Sequence, residues 1–368
     1  MPIAPFDLDA VLGDLERLVN VESPSHDVDA IAASANAVAD LITRRLGSPP
    51  VLIDSVAGPH VHWRAPGEPR LLLVGHHDTV FPLGALATRP FTVADGRATG
   101  PGAFDMKGGI VLAVHALAAL DDVNGIELLV TSDEEVGSGA SRMLIEERAL
   151  ACGRVLVLEP AADGGALKVG RKGVGTFEVT IAGRAAHAGL EPEKGVNALV
   201  EAAYQVLDIA AIADVAAGTT VTPTVASAGT ADNVVPAAAT LRIDVRVASM
   251  VEAQRVERAM AALTPRDANA VITVTGDINR PPMAPSVGAA LFDAAQKAAA
   301  GAGLAPVQGV TVGGGSDGNF TSALGVPTLD GLGVMGGGAH ADHEWVDVAS
   351  LPDRAALLAA LIESIPRR

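Results

Sequence analysis

Leu71-Leu72-Leu73-Val74-Gly75-His76-His77-Asp78 sets an apolar run directly against a glycine, two histidines and an aspartate. Ile126-Glu127-Leu128-Leu129-Val130 leads likewise into Thr131-Ser132-Asp133-Glu134-Glu135, and Val155-Leu156-Val157-Leu158 into Glu159-Pro160. Pro327-Thr328-Leu329 is a looser fourth run, with Ala339-His340 further on. Short continuous apolar runs fit the strands of a parallel sheet covered on both faces. Ligand sites in open α/β sheets lie beyond the carboxyl ends of such strands. Histidine and carboxylate gathered there is the ligand chemistry of zinc. A metal site on an α/β sheet is the first expectation, and hydrolysis the second.

Outward from these runs, strands and helices alternate. Val28–Leu46, Lys107–Leu120 and Ser138–Glu147 read as helices between the strands, which is the βαβ pattern of a mainly parallel sheet. Near Gly173 the texture changes. Thr176–Ala182, Thr220–Gly229, Ala237–Val247 and Val271–Gly276 read as strands, with helices at Asn197–Ile212 and Val251–Leu263. The order β-α-β-β-α-β is that of a ferredoxin-like unit. After Pro281-Pro282 the α/β texture returns, with a helix near Val287–Ala300. The expected organisation is a catalytic domain of residues 1–172 and 281–368 with residues 173–280 inserted into it.

At 368 residues the chain exceeds what one core usually holds. It is 49% hydrophobic with only 3% aromatics, so Ala, Val and Leu build a globular core. A net charge of −17 repels nucleic acid and anionic membrane, so neither is expected as a partner. The single cysteine, Cys152, allows no intrachain disulfide and reads as a small core residue. Asp7 to Asn20 reads as an amphipathic helix rather than a signal peptide, and no run is long enough to span a bilayer. A cytoplasmic location is expected.

Three motifs carry chemistry. In Gly75-His76-His77-Asp78-Thr79-Val80, His76 suits zinc and Asp78 can fix its tautomer; alone, the segment also reads as a polar loop. In Gly100-Pro101-Gly102-Ala103-Phe104-Asp105-Met106-Lys107-Gly108-Gly109, Asp105 precedes a glycine-opened helix, as a carboxylate between two metals or as a helix cap. In Asp133-Glu134-Glu135-Val136-Gly137-Ser138, adjacent glutamates point apart, so one can bind metal while the other acts as base; an acidic helix cap is the bland alternative. Neither a dinucleotide loop nor a Gly-Lys-Ser/Thr phosphate loop is present. Lys107, Arg171 and Lys172 read as surface charges.

Taken together, in this order, the three segments resemble the di-zinc family of glutamate carboxypeptidases, aminoacylases, acetylornithine deacetylase and succinyl-diaminopimelate desuccinylase. The resemblance covers nearly the whole length. It implies a zinc-exopeptidase α/β fold, mixed and mainly parallel with helices on both faces, and an inserted ferredoxin-like lid that mediates homodimerisation. It implies two Zn2+ per chain, with Co2+ or Mn2+ as substitutes. Asp105 would bridge both ions, His76 and Glu159 complete one site, and Glu135 and His340 the other. His343 is a rival to His340. Glu134 would be the general base, with Asp78 supporting His76. In Gly183-Arg184-Ala185-Ala186-His187-Ala188-Gly189, His187 would reach the partner subunit's site and stabilise the oxyanion. Arg246 would grip a substrate carboxylate, and Asn233 and Gly314 would contact substrate.

The implied reaction is hydrolysis of an amide beside a free carboxylate. A carboxypeptidase releasing a C-terminal amino acid such as glutamate comes first, on Glu159 and on the His187 loop with Gly195-Val196-Asn197-Ala198-Leu199. An N-acyl-amino-acid deacylase is the second reading. A metal-stabilised interaction protein without catalysis is a third, opposed by the presence of all five ligand types and Glu134.

Overall fold

The computed structural model describes residues 6–366. Its main sheet has six strands in the order Val51–Ile53, His60–Arg64, Ile126–Thr131, Leu71–His76, Val155–Val157 and Thr328–Leu329. The last four run parallel, and the first two add antiparallel at one edge. The continuous apolar run of the central strand is explained by its two covered faces. Leu71 and Leu73 pack into a core with the helices Leu8–Val19, Val28–Leu46, Gly108–Ala118, Pro285–Gly301 and Leu351–Ser364. Leu72 and Val74 point the other way, toward Ile145, Ala149 and Cys152 of the helix Arg142–Cys152. Each such buried side chain contributes about 2 kcal/mol. Gly109 has no side chain because the helix Gly108–Ala118 sits directly on the Leu158 carbonyl, which a Cβ would overlap.

The chain divides into two compact units. The first runs to Gly170 and resumes at Met283–Val312 and from Ser316 onward. The second is Arg171–Pro282 with Gly313–Gly315, so its limits lie two residues outside 173 and 280 and it takes in the glycine loop. Its sheet has the antiparallel order Thr220–Ala228, Ala238–Val247, Gly173–Ala182, Val271–Arg280, and two helices, Ala198–Ala210 and Met250–Ala261, pack on it. This is the ferredoxin-like arrangement.

One helix begins later than its periodicity suggests. Ser138 takes φ 59°, and the N–H groups of Ala140 and Ser141 donate to Asp133 Oδ2 at 2.6 and 3.3 Å. Residues 138–141 therefore form a turn that caps the helix, which runs from Arg142 to Cys152 rather than from Ser138 to Glu147.

Glu127 ties the strand Ile126–Thr131 to its surroundings. Its buried carboxylate accepts from Arg148 Nη2 at 2.6 Å and Nε at 2.8 Å, and lies 2.9 Å from His62 Nε2. Burial opposes the charge, but His62 and Arg148 outweigh it and hold the carboxyl at about 2 against an ordinary 4.5. The folded value is depressed, so the stabilisation, about 3 kcal/mol, is complete above pH 4.5 and fades as pH falls toward 2. In urea unfolding, Glu127→Gln should lose that amount at pH 7, and its gap from wild type should narrow below pH 4.5. A gap that does not vary with pH contradicts this account.

Candidate metal centre

Parallel register aligns three strand ends. His76, the last residue of its strand, pairs with Thr131, and Val74 pairs with Val157. The strand bearing His76 thus lies between the strand that leads to Glu134 and Glu135 and the one that leads to Glu159. Asp105 comes from the loop before the helix Gly108–Ala118. His340 lies in the turn between the short strands Gly336–Gly337 and Trp345–Asp347, with φ 62°. It therefore arrives from a separate four-stranded sheet and not from the end of the Thr328–Leu329 strand.

The five groups form two triads. His76, Asp105 and Glu159 bring ligand atoms within 4.8 Å of one another, as do Asp105, Glu135 and His340. Asp105 is common to both. His76 Nε2 lies 3.5 Å from Asp105 Oδ1 and 3.6 Å from Glu159 Oε1. His340 Nε2 lies 3.4 Å from Asp105 Oδ2 and 3.0 Å from Glu135 Oε2. Zinc bonds of about 2.0–2.2 Å place tetrahedral ligand atoms about 3.3–3.6 Å apart, so most of these separations suit a shared cation. Asp105 Oδ1 and Glu135 Oε1 are buried and accept no hydrogen bond. Orphaned buried carboxylate oxygens are costly unless a cation satisfies them.

Electrostatics agree with that fit. Asp105 and Glu135 drive the His340 imidazole up to about 10. Burial alone would push His76 down, but Asp105, Asp78 and Glu159 outweigh it and raise it well above its ordinary value. Burial raises Glu135, while the two histidines hold Asp105 well below the carboxylate range despite its burial. The pocket attracts positive charge. His343 is exposed and joins neither triad, and His77 is turned away, its Nε2 3.1 Å from the Pro59 carbonyl. Burial pushes His77 down to about 4 and keeps it neutral.

Asp78 does more than steady an imidazole. His76 Nδ1 lies 3.0 Å from the Asp78 backbone carbonyl and 3.4 Å from its carboxylate. The carboxylate itself accepts from Ser25 Oγ at 2.7 Å and from the N–H groups of Glu134 and Glu135, both at 3.2 Å. Burial opposes its charge, but His76 and Ser25 keep the carboxyl low. Asp78 therefore sets the backbone of both glutamates. Glu134 is itself buried, in a single tight turn over Glu134–Val136.

Glu344 is absent from the sequence reading, although it stands inside Ala339-His340-Ala341-Asp342-His343-Glu344-Trp345. Its buried carboxylate accepts from the N–H groups of Gly102 (3.0 Å), Phe104 (2.7 Å) and Asp105 (2.8 Å). Burial pushes it up to about 7 even against those donors. It fixes the loop that presents Asp105. An acidic residue just ahead of an apolar strand was the only signal. In Glu344→Gln an amide NH2 must face a backbone N–H, so metal affinity should fall about 10–100-fold with the fold retained. Calorimetric titration of zinc checks this; unchanged affinity rules the role out.

Two cations read as surface charges are buried. Lys107 Nζ donates to the Val21 carbonyl at 2.7 Å, and burial pushes it down to about 8. Arg171 Nη1 donates to the carbonyls of Gly314 and Gly315 at 3.1 and 3.0 Å. Both heads find carbonyl acceptors, which is what lets long charged side chains sit inside.

In the second unit, His187 and Asn233 stand on adjoining loops. Ala188 N–H donates to the Asn233 carbonyl at 2.9 Å, and His187 bridges Val234. Both side chains are exposed. Arg246 is half-buried, and its fork holds Asp244 through Nε at 3.0 Å and Nη2 at 2.8 Å.

Comparisons with known proteins agree with one another. The profile of Peptidase family M20/M25/M40 matches residues 72–364. The chain is 37% identical over 373 residues to carboxypeptidase G2 of Pseudomonas sp. (strain RS-16), covering 96% of this chain and 88% of that protein. It is 30% identical over 334 residues to succinyl-diaminopimelate desuccinylase of Caulobacter vibrioides, covering 81% and 82%. A Bacillus subtilis structure described as a dinuclear metal binding peptidase of the M20 family shares its fold, with TM-score 0.66 at 14% identity over 96% of this chain and 97% of that one.

Proposed function

This chain belongs to peptidase family M20/M25/M40, and on that premise we propose that it hydrolyses an amide beside a free carboxylate, releasing a C-terminal amino acid such as glutamate. The observation that carries the reading is the pair of triads that share Asp105. Likeness to carboxypeptidase G2 supports the carboxypeptidase form. Likeness to the desuccinylase supports a second reading, an N-acyl-amino-acid deacylase.

The family is metal-dependent, and we assign two divalent ions to the triads. His76, Asp105 and Glu159 would hold one; Asp105, Glu135 and His340 would hold the other. Zinc suits this nitrogen and oxygen set, and cobalt or manganese suits it as well. When bound, such ions act as Lewis acids on the scissile carbonyl and ease deprotonation of water.

The chain's own residues do the rest. Glu134 takes the proton from the attacking water and hands it to the leaving nitrogen. Asp78 orients His76 and, through two backbone N–H groups, both glutamates. Arg246 binds the substrate carboxylate by exchanging its Asp244 partner, a swap between equivalent bidentate acceptors. His187 stabilises the developing oxyanion of the partner subunit's site, beside Asn233 and Gly314 as substrate contacts.

That sharing requires a homodimer through the Arg171–Pro282 lid. Its helix Ala198–Ala210 exposes Val200, Tyr204 and Leu207 at helical spacing, and its strand Thr220–Ala228 is an exposed edge. Exposed apolar stripes and open edges favour association. The expected partners are small peptides or N-acyl amino acids, and the expected location is the cytoplasm. Among the described residues no helix is long and apolar enough to cross a membrane.

A panel of N-blocked dipeptides ending in glutamate and N-acetyl or N-succinyl amino acids, run with zinc-reconstituted protein, tests the reading. The highest kcat/KM should fall on the glutamate-terminated substrates. No cleavage of any amide with a free carboxylate rejects it.

A further inference from the structure

Residues 131–138 leave the end of a main-sheet strand, carry Glu134 and Glu135 through one tight turn and stop short of the helix Arg142–Cys152. Within the segment, the N–H groups of Gly137 and Ser138 donate to the carbonyls of Glu134 and Asp133 at 2.9 and 2.8 Å. Both of its ends converge on one buried carboxylate. Asp317 Oδ1 accepts from Ser138 Oγ at 2.5 Å, and Asp317 Oδ2 accepts from Thr131 Oγ1 at 3.2 Å. Thr131 and Ser138 are buried as well.

Asp317 is itself held in place, between Ser316 and the helix Gly318–Ala323. Ser316 Oγ donates to Asp330 Oδ2 at 2.6 Å and accepts from the Gly318 N–H at 3.1 Å. The Ser316 N–H donates to Asn319 Oδ1 at 2.9 Å. Arg142, which opens the helix after the segment, sets its guanidinium 4.8 Å from the centre of the Phe320 ring. A carboxylate can only accept, so both hydroxyls must turn toward Asp317, and such charge-assisted bonds are strong ones. Asp317 thus closes the segment at its two ends, while Asp78 holds its middle through the N–H groups of Glu134 and Glu135.

Resting on the reading above, Glu134 must meet the attacking water within hydrogen-bond reach, and a misplacement of about 1 Å costs about 100-fold. We infer that Asp317 is a positioning residue for Glu134. Through Ser138 and Thr131 its one carboxylate sets where the turn bearing Glu134 stands. It acts by way of that backbone and not on the substrate.

The test uses zinc-saturated protein and a glutamate-terminated substrate. Asp317→Ala should lower kcat about 100-fold and leave KM unchanged. Asp317→Asn should recover most of that loss. Its amide oxygen still accepts from Ser138, and its NH2 donates to Thr131, whose hydroxyl then serves the Gly75 carbonyl 3.3 Å away. In the Glu134→Ala background, Asp317→Ala should cost no further rate, because the group it positions is gone. Ser138→Ala removes one hydroxyl and no charge; it should show the same pattern at smaller size, and it carries the test if Asp317→Ala does not fold. Amide exchange followed by mass spectrometry reads the placement without turnover: in Asp317→Ala, residues 133–138 should exchange faster while the main-sheet strands keep their protection. A loss that adds in full to that of Glu134→Ala, or unaltered exchange over residues 133–138, overturns the inference. Unaltered kcat in Asp317→Ala, with activity lost in Glu134→Ala, overturns it too and keeps the hydrolase reading. Faster local exchange in a protein that cleaves no amide keeps the clamp and rejects the hydrolase reading.

Discussion

Glu134→Ala should lower kcat on a glutamate-terminated substrate by about 10²–10⁴-fold, the contribution of a positioned general base, and leave both metal sites filled. The two outcomes separate because Glu134 belongs to neither triad. Its neighbour Glu135 belongs to the second, so equivalent loss of metal is expected for Glu135→Ala and not for Glu134→Ala. The fold should survive, since the Asp78 carboxylate holds the backbone N–H of residue 134 and not its side chain. Steady-state kinetics with metal content by mass spectrometry decides the matter. Activity near wild type moves the base elsewhere, and loss of one ion makes Glu134 a ligand.

Asp105→Ala should have the largest effect on metal uptake. Asp105 is the one residue common to both triads. Glu159→Ala and Glu135→Ala should each weaken one ion. Asp105→Ala should weaken both by at least about 100-fold, beyond what loss of an orienting partner costs. Removing this carboxylate also deprives His76 and His340 of the anion that raises both imidazoles. Titration with zinc, followed by calorimetry, gives the stoichiometry. A variant that still takes up one ion at wild-type affinity would show that the centre is not shared.

The candidate site residues near the main sheet were legible because each follows its strand directly in the chain. An apolar run buried on both faces must end at the sheet edge, and the next few residues must stand there. Leu71–Val74 before His76, Ile126–Val130 before Glu134 and Glu135, and Val155–Leu158 before Glu159 all follow that logic. The same logic reaches Asp105 only through its glycine-opened helix. For His340 and His343 it offers no choice, since neither follows a buried strand directly.

What stayed hidden is what depends on partners far along the chain. Glu344 meets the N–H of Asp105 across 239 residues, and its Gly102 partner lies 242 residues away. Strands of two or three residues, such as Gly336–Gly337 and Trp345–Asp347, have too few positions to show a period. Lys107 and Arg171 look like surface charges until carbonyl acceptors are brought to them.

From its order of residues alone, this chain determined an α/β sheet, an inserted β-α-β-β-α-β unit and the residue types of a candidate metal centre, because local burial pattern dictates where short strands end. Only the tertiary structure decided that Asp78 sets both glutamates, that Glu344 holds the loop presenting Asp105 and that His340 arrives from a separate small sheet. Those facts rest on hydrogen bonds and carboxylate placements between distant segments, which no local periodicity encodes.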